Sequence, residues 1–236
     1  MTQSPGDELE VNKPLFVPIK RRSFFMYAGA TAGATALLLA GCDDDDNNES
    51  DIVDVGAGDK GVLNYAYALE QLEAAFYARV LTGQYYAGAS TAEKQIFTDI
   101  ALHEKIHADF FKSVLAGDAI KGLTPNFSTI NFDDRTSVLN SAKAFEDLGV
   151  AAYNGAGRFI TAPLYLVIAG KIVSVEARHA ALIRDLITFN SFVGDDVVDF
   201  SLTSRQEKSK LPAEVLATAN NFLAAGSKLS ANSLVA

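Results

Sequence analysis

The stretch Glu104-Lys105-Ile106-His107 decides the fold, because it recurs later in the chain as Glu176-Ala177-Arg178-His179. On a helix, residues three apart lie one turn apart on neighbouring sides, so both side chains of a Glu-x-x-His unit can point at one centre. Each copy follows another glutamate-bearing segment, Leu69-Glu70-Gln71-Leu72 before the first and Phe145-Glu146-Asp147-Leu148 before the second. One pattern is therefore repeated twice along the chain.

Apolar residues recur every three or four positions around each of these units, which predicts a helix for each unit. The four helices are predicted over residues 60–81, 91–117, 134–154 and 161–186, with Pro163 in the first turn of the last one. A further short helix is predicted over residues 212–223, and the last dozen residues are predicted to be a tail.

The connections predict how the helices are arranged. The first and second helices are joined by a short connection, as are the third and fourth, so each pair should form an antiparallel hairpin. Residues 118–134 lack a helical pattern and are long enough to cross the bundle. Two hairpins and one long crossover predict an all-α, ferritin-like four-helix bundle with a short additional C-terminal helix.

The repeated glutamates and histidines form the ligand set of carboxylate-bridged di-iron and di-manganese bundles. The glutamates fall on apolar faces, where four buried carboxylates without partners would be very costly. Two divalent ions would cancel their four negative charges, whereas hydrogen-bonded core polar groups are the alternative. We predict two iron or manganese ions held by Glu70, Glu104, His107, Glu146, Glu176 and His179.

Neighbouring residues leave two questions open. Glu73 lies three residues after Glu70 and could replace it as a ligand, although Gly149 stands at the equivalent position of the third helix. Tyr77 and Tyr153 each lie seven residues after a glutamate and are the candidates for a catalytic role. They could be redox-active residues, hydrogen-bond donors near the site, or core tyrosines with satisfied hydroxyl groups.

Residues from about 60 to 190 resemble the ferritin-like superfamily and, within it, the group that includes bacterial and plant desiccation-related proteins. The resemblance rests on residues 68–77, 103–107, 146–153 and 175–179. It implies that Glu104 and Glu176 bridge the two metals and that Glu70 and Glu146 are terminal ligands. Much of this group lacks an assigned reaction, so the resemblance implies a site and leaves its chemistry open.

The string His103-Glu104-Lys105-Ile106-His107 also matches the zinc-protease helix signature. In that interpretation His103 and His107 bind zinc, and Glu104 acts as the base. It leaves the second Glu-x-x-His unit unexplained, and no Gly-x-x-His continuation follows His107. We therefore expect His103 to lie near the site or at an interface rather than to bind metal.

Two classes of function fit the predicted site. One is an oxidoreductase that uses O2 or peroxide at two irons, or disproportionates peroxide at two manganese ions, in stress protection. The other is a non-enzymatic stress-protective or binding module whose metal only stabilises the fold. The oligomeric state is open, with a dimer as one option.

The N-terminal region resembles an export signal. Arg21-Arg22 before Ser23-Phe24-Phe25 resembles a twin-arginine signal, and Leu39-Ala40-Gly41-Cys42 resembles a bacterial lipobox. We expect export across the inner membrane, lipidation of Cys42 and anchoring to the bilayer at the periplasmic face or cell surface. A plain transmembrane anchor is the alternative, for which the apolar run is short. Residues 43–51 are strongly acidic and predict a solvated tether.

Composition excludes several kinds of function. The net charge is −9, and removal of residues 1–41 would make it one unit more negative, so nucleic-acid binding is not expected. Cys42 is the single cysteine, and its lipidation excludes disulfides, thiolate metal sites and a cysteine nucleophile. The predicted organisation is a signal over 1–41, a lipidated tether over 42–58, the bundle over 59–190 and a C-terminal extension over 191–236.

Overall fold

A computed structural model describes residues 52–201 and 206–234. Its helices and strands, in chain order, are β1 (Ile52–Asp54), α1 (Gly58–Val80), α2 (Gln84–Gly88), α3 (Thr91–Leu115), α4 (Arg135–Ala156), α5 (Pro163–Ile187), α6 (Pro212–Ala219) and β2 (Lys228–Ser230). Short 3₁₀ turns follow α3, α4 and α6. The four long helices are α1, α3, α4 and α5.

The long helices pack as two hairpins, α1 against α3 and α4 against α5. The connection from α3 to α4 is the long one, as expected for a ferritin-like bundle. The predicted all-α fold is confirmed, and the bounds of the four long helices agree with the prediction to within two residues. The short helix α2 was not predicted, and α6 ends at Ala219, earlier than expected, before a 3₁₀ turn over Asn220–Phe222.

Side-chain caps and a proline explain where three of these helices begin. The Ser90 hydroxyl accepts a hydrogen bond from the backbone N–H of Glu93 at the start of α3. The Asp134 carboxylate accepts one from the backbone N–H of Ser137 at the start of α4. Pro163 opens α5, where its missing N–H costs nothing.

Two polar side chains of α1 hold the crossover connection in place. The Asn64 side-chain oxygen accepts a hydrogen bond from the backbone N–H of Ile120 at 2.9 Å, and that of Gln71 accepts one from Leu123 at 2.9 Å. These bonds satisfy backbone groups that no helix or strand would satisfy. The crossover is therefore fixed against the same helix that supplies Glu70 to the site.

The C-terminal residues pack against the first described residues, which begin at Ile52. Strands β1 and β2 pair in parallel, with Ile52 opposite Lys228, and Leu229 and Leu234 are buried. The prediction of a tail is therefore wrong for these residues. Because each strand has three residues, it is too short to show the alternation by which strands are recognised.

The predicted export signal, Cys42 and the acidic residues 43–51 lie outside the described residues. Across residues 52–201 and 206–234, no helix combines the length and the apolar character needed to cross a membrane.

Gly155 marks a close approach between α4 and the C-terminal extension. A Cβ atom at Gly155 would lie 1.7 Å from the carbonyl oxygen of Lys210, whose backbone N–H donates to the backbone carbonyl oxygen of Ala151 at 3.0 Å.

We expect Gly155→Ala to lower the free energy of unfolding by about 1–3 kcal/mol, as measured by urea denaturation. The matched control is Gly170→Ala in α5, where no atom lies within 4 Å of the added Cβ and helix propensity favours alanine by about 1 kcal/mol. Equal effects of the two substitutions would contradict this account.

Candidate metal centre

The six predicted ligands come together between the four long helices. Helix α1 supplies Glu70, α3 supplies Glu104 and His107, α4 supplies Glu146, and α5 supplies Glu176 and His179. All four glutamates are 0% exposed, so bulk solvent does not reach their carboxylates. The two histidine side chains are also mostly buried.

Four of these residues form one group that could hold a metal ion. This group, called the His107 group, consists of Glu70, Glu104, His107 and Glu176. The Nδ1 atom of His107 lies 2.8 Å from Glu176 Oε1, 3.3 Å from Glu70 Oε2 and 3.5 Å from Glu104 Oε2. The four ligand atoms lie within 4.8 Å of one another.

A second group could hold a metal ion in the same way. This group, called the His179 group, consists of Glu104, Glu146, Glu176 and His179. The Nδ1 atom of His179 lies 2.8 Å from Glu104 Oε1, 3.5 Å from Glu176 Oε2 and 3.6 Å from Glu146 Oε2. Each histidine is thus nearest to the Glu-x-x-His glutamate of the other helix.

Glu104 and Glu176 belong to both groups. Glu104 turns Oε1 towards His179 and Oε2 towards His107. Glu176 turns Oε1 towards His107 and Oε2 towards His179. Glu70 belongs to the His107 group alone and Glu146 to the His179 group alone. The geometry therefore repeats as the sequence does, with two shared and two unshared carboxylates.

The ligand atoms fit a metal ion better than they fit one another. Within the described residues, no hydrogen-bond partner exists for Glu70 Oε2, Glu146 Oε2, both oxygens of Glu104 and Glu176, and Nδ1 of His107 and His179. The histidine–carboxylate distances are short, yet none of these contacts is a hydrogen bond. Each buried polar atom without a partner costs about 1–3 kcal/mol. Carboxylate oxygens and imidazole nitrogens directed at common centres suit a divalent metal ion.

Burial and repulsion alter the protonation of the metal-free cluster. Burial lowers the pKa of His107 and His179, but the surrounding carboxylates outweigh it and raise both to about 12. Burial raises the pKa of Glu70 well above its usual range and that of Glu146 to about 8. Burial also acts on Glu104, but the two imidazoles lower its pKa to about 2. A metal ion that binds here would therefore displace protons from the cluster, and we expect its affinity to rise with pH.

The two tyrosines hold the unshared glutamates across the bundle. Tyr77 of α1 donates a hydrogen bond to Glu146 Oε1 of α4, and Tyr153 of α4 donates one to Glu70 Oε1 of α1. Burial, then the nearby carboxylates, raise the pKa of both phenols well above its usual range, so they remain neutral donors. Of the three roles considered for Tyr77 and Tyr153, these contacts match that of hydrogen-bond donors near the site. Each of these hydrogen bonds uses Oε1 of its glutamate, and Oε2 of the same glutamate faces the centre of the cluster.

The structure brings Glu70, rather than Glu73, into the His107 group. Glu73 is buried beside Gly149, where an added Cβ would lie 2.9 Å from Glu73 Oε1. Burial, then repulsion from the carboxylates of both groups, raises the pKa of Glu73 well above its usual range. Because α4 has no side chain at Gly149, there is room for this fifth carboxyl next to the cluster.

His103 lies outside both groups but contacts one of the predicted ligands. Its Nδ1 atom lies 2.9 Å from Nε2 of His179, and the two rings are inclined by 20°. Since Nδ1 of His179 faces the cluster, its Nε2–H can donate to His103 and fix the ring's orientation. The zinc-protease interpretation needs His103 and His107 on one ion, and neither group in the described chain contains His103.

His103→Ala should weaken metal binding in the His179 group by about 10–100-fold, the usual effect of removing a hydrogen bond that orients a ligand. His103→Gln should retain much of the affinity because its amide oxygen can accept the same hydrogen bond. Competition against a chromophoric chelator measures both constants. Lys105→Ala is the control, because Lys105 is exposed and pairs with Asp109 away from the cluster. Unchanged affinity in His103→Ala would remove His103 from the site.

Comparison with known families agrees with this geometry. Residues 58–188 match the family model described as the ferritin-like domain, and the chain belongs to that family. The match covers α1 through α5 and includes both groups of potential ligands. None of the curated proteins compared with the chain matches it.

Proposed function

We propose that this chain holds two iron or manganese ions in a carboxylate-bridged centre and uses them in oxidative or peroxide chemistry. The observation that carries the proposal is the sharing of Glu104 and Glu176, each with one oxygen towards each histidine. A site for a single ion has no need of shared carboxylates. Glu70 and Glu146 complete the two ends as unshared ligands.

Such a metal pair supplies the redox equivalents needed to react with O2 or peroxide, its expected small-molecule substrates. The chain's own residues set the conditions for that reaction. Tyr77 and Tyr153 orient the unshared glutamates, and His103 orients His179. The buried surroundings keep bulk water from the carboxylates, which strengthens every electrostatic interaction within the cluster.

Anaerobic loading with Fe(II), followed by mixing with O2 or peroxide, tests the proposed reactivity. Stopped-flow absorbance should show iron oxidation faster than that of free iron in the same buffer, and manganese-loaded protein provides a parallel assay for O2 release from peroxide. Glu104→Gln should abolish the acceleration. Glu73→Gln should retain it, because Glu73 lies outside both groups. Metal binding without acceleration in either assay would favour the alternative, a stress-protective or binding module with a structural metal.

We also propose that the protein is exported and anchored to the membrane through lipidated Cys42. The support is the sequence alone: Arg21-Arg22, the apolar segment after it and the Leu39-Ala40-Gly41-Cys42 motif. Mass spectrometry of the membrane fraction should show a mature chain beginning at a lipidated Cys42. Cys42→Ser should lose the lipid mass, and a wild-type chain without lipid would refute the anchor.

A further inference from the structure

A small apolar cavity lies at one end of the carboxylate cluster. The residues around it include Leu63, Ala66, Leu69, Tyr153, Ile160 and Ile168. The lining comes from α1, from Phe111 of α3, from the end of α4 and the turn after it, and from the first half of α5. We call this space the Tyr153 cavity. Its lining is almost wholly apolar and its volume is about 20 Å³.

Tyr153 links the Tyr153 cavity to the His107 group. It lines the cavity and donates its hydroxyl hydrogen to Glu70 Oε1. Leu69, another lining residue, directly precedes Glu70 in α1. A molecule in the cavity therefore lies against the residues that position an unshared glutamate.

The two tyrosines have different surroundings although the site is internally repeated. Tyr77 is fully buried, and its ring packs against Phe76 at 5.1 Å and Phe97 at 6.3 Å between centroids. The lining around Tyr153 also contains aromatic residues, Tyr65, Phe111 and Tyr165, but it includes four small residues, Ala66, Ala156, Gly157 and Ala169. A space remains beside Tyr153 among these small residues.

Size and polarity decide what the cavity can hold. A volume of about 20 Å³ accommodates about one water-sized molecule, whereas pockets for organic ligands measure about 300–1,000 Å³. Peroxide and water would lose hydrogen bonds on entering an apolar space. Apolar cavities stay dry and take up apolar guests such as xenon. Dioxygen is small and apolar and meets both requirements.

We propose that the Tyr153 cavity is a docking site for dioxygen next to the His107 group. Binding in the cavity stands on its own geometry, whereas its use in oxidation rests on the proposed function. Of the two oxidants considered for this site, the cavity selects O2 over peroxide. Dioxygen is therefore held on the side of the carboxylate cluster where Tyr153 lies.

Paramagnetic relaxation by dissolved O2 tests docking without any redox-active metal. Zinc-supplemented, methyl-labelled protein is compared under nitrogen and under O2 pressure by NMR. Methyl groups of Leu63 and Leu69 should relax several-fold faster under O2 than those of Leu139 and Ile183, which are also buried but do not line the cavity. Equal relaxation of the two sets would overturn the proposal.

Variants locate the effect within the cavity. Ala66→Val, or Ala156→Val if the first does not fold, should fill the space and remove the excess relaxation. Ala78→Val makes the same change on the exposed side of α1 and should leave it intact. Persistence of the effect in a folded filled variant would contradict docking at this place.

Experiments on iron-loaded protein distinguish the docking of dioxygen in the cavity from the use of docked dioxygen in iron oxidation. Ala66→Val should slow iron oxidation by O2 several-fold and leave oxidation by peroxide unchanged relative to Ala78→Val. Unchanged O2 rates in Ala66→Val would overturn the role of the cavity even if iron oxidation itself is fast. Loss of oxidation with all oxidants in the wild type, with the NMR effect retained, would refute the proposed function and leave dioxygen docking supported.

Discussion

Glu104→Gln and Glu176→Gln should each reduce metal binding from two ions per chain to one at most. Both residues belong to the His107 group and to the His179 group, so a single substitution removes a negative oxygen ligand from both. Glutamine keeps the size of the side chain but supplies one neutral oxygen in place of a carboxylate. Titration with Fe(II) under anaerobic conditions, followed by metal analysis, measures the stoichiometry.

Glu73→Gln is the matched control for these variants. Glu73 is buried like the ligands, carries the same side chain and lies in the same bundle, but belongs to neither group. It should retain two ions per chain. Two ions in Glu104→Gln and Glu176→Gln, or a loss in Glu73→Gln alone, would show that the shared carboxylates have been assigned to the wrong residues.

Removing the metal should lower the melting temperature more than any single substitution outside the site. An ion present at 100 times its dissociation constant stabilises the folded state by about 2.7 kcal/mol. Two such ions correspond to about 5 kcal/mol, or about 10–20 °C for a domain of this size. Differential scanning calorimetry with and without a chelator measures the shift.

The double variant Glu104→Gln/Glu176→Gln separates this effect from general effects of the chelator. Without the shared carboxylates, its melting temperature should be the same with and without metal. A wild-type melting temperature that does not respond to metal removal would mean that the cluster is stable without ions. The imidazolium groups of His107 and His179, whose pKa values the surrounding carboxylates raise, would then neutralise it.

The fold and the convergence of the candidate ligands could be predicted because both follow from the helical period. The spacing of Glu104 and His107 places them on one side of a helix, and the second copy at Glu176 and His179 repeats that geometry. The long connection between the two hairpins then defines the bundle topology. These features depend on local spacing, which the sequence contains directly.

Contacts between distant residues could not be predicted in the same way. The hydrogen bonds from Tyr77 to Glu146 and from Tyr153 to Glu70 cross between helices, so the sequence left the tyrosines among three alternatives. The contact of His103 with His179 joins residues 76 positions apart. The sequence does show that each tyrosine follows a glutamate by seven residues and that His103 adjoins Glu104. Neither spacing identifies the residue on another helix with which the side chain forms its hydrogen bond.

The metal content of protein purified without chelator tests the central claim most directly. Crystals of that protein, measured on both sides of the iron and manganese absorption edges, would count and place the ions. We predict two anomalous peaks, one in the His107 group and one in the His179 group, with Glu104 and Glu176 between them. A single zinc ion without iron or manganese, or a cluster held together without any ion, would contradict the dinuclear centre.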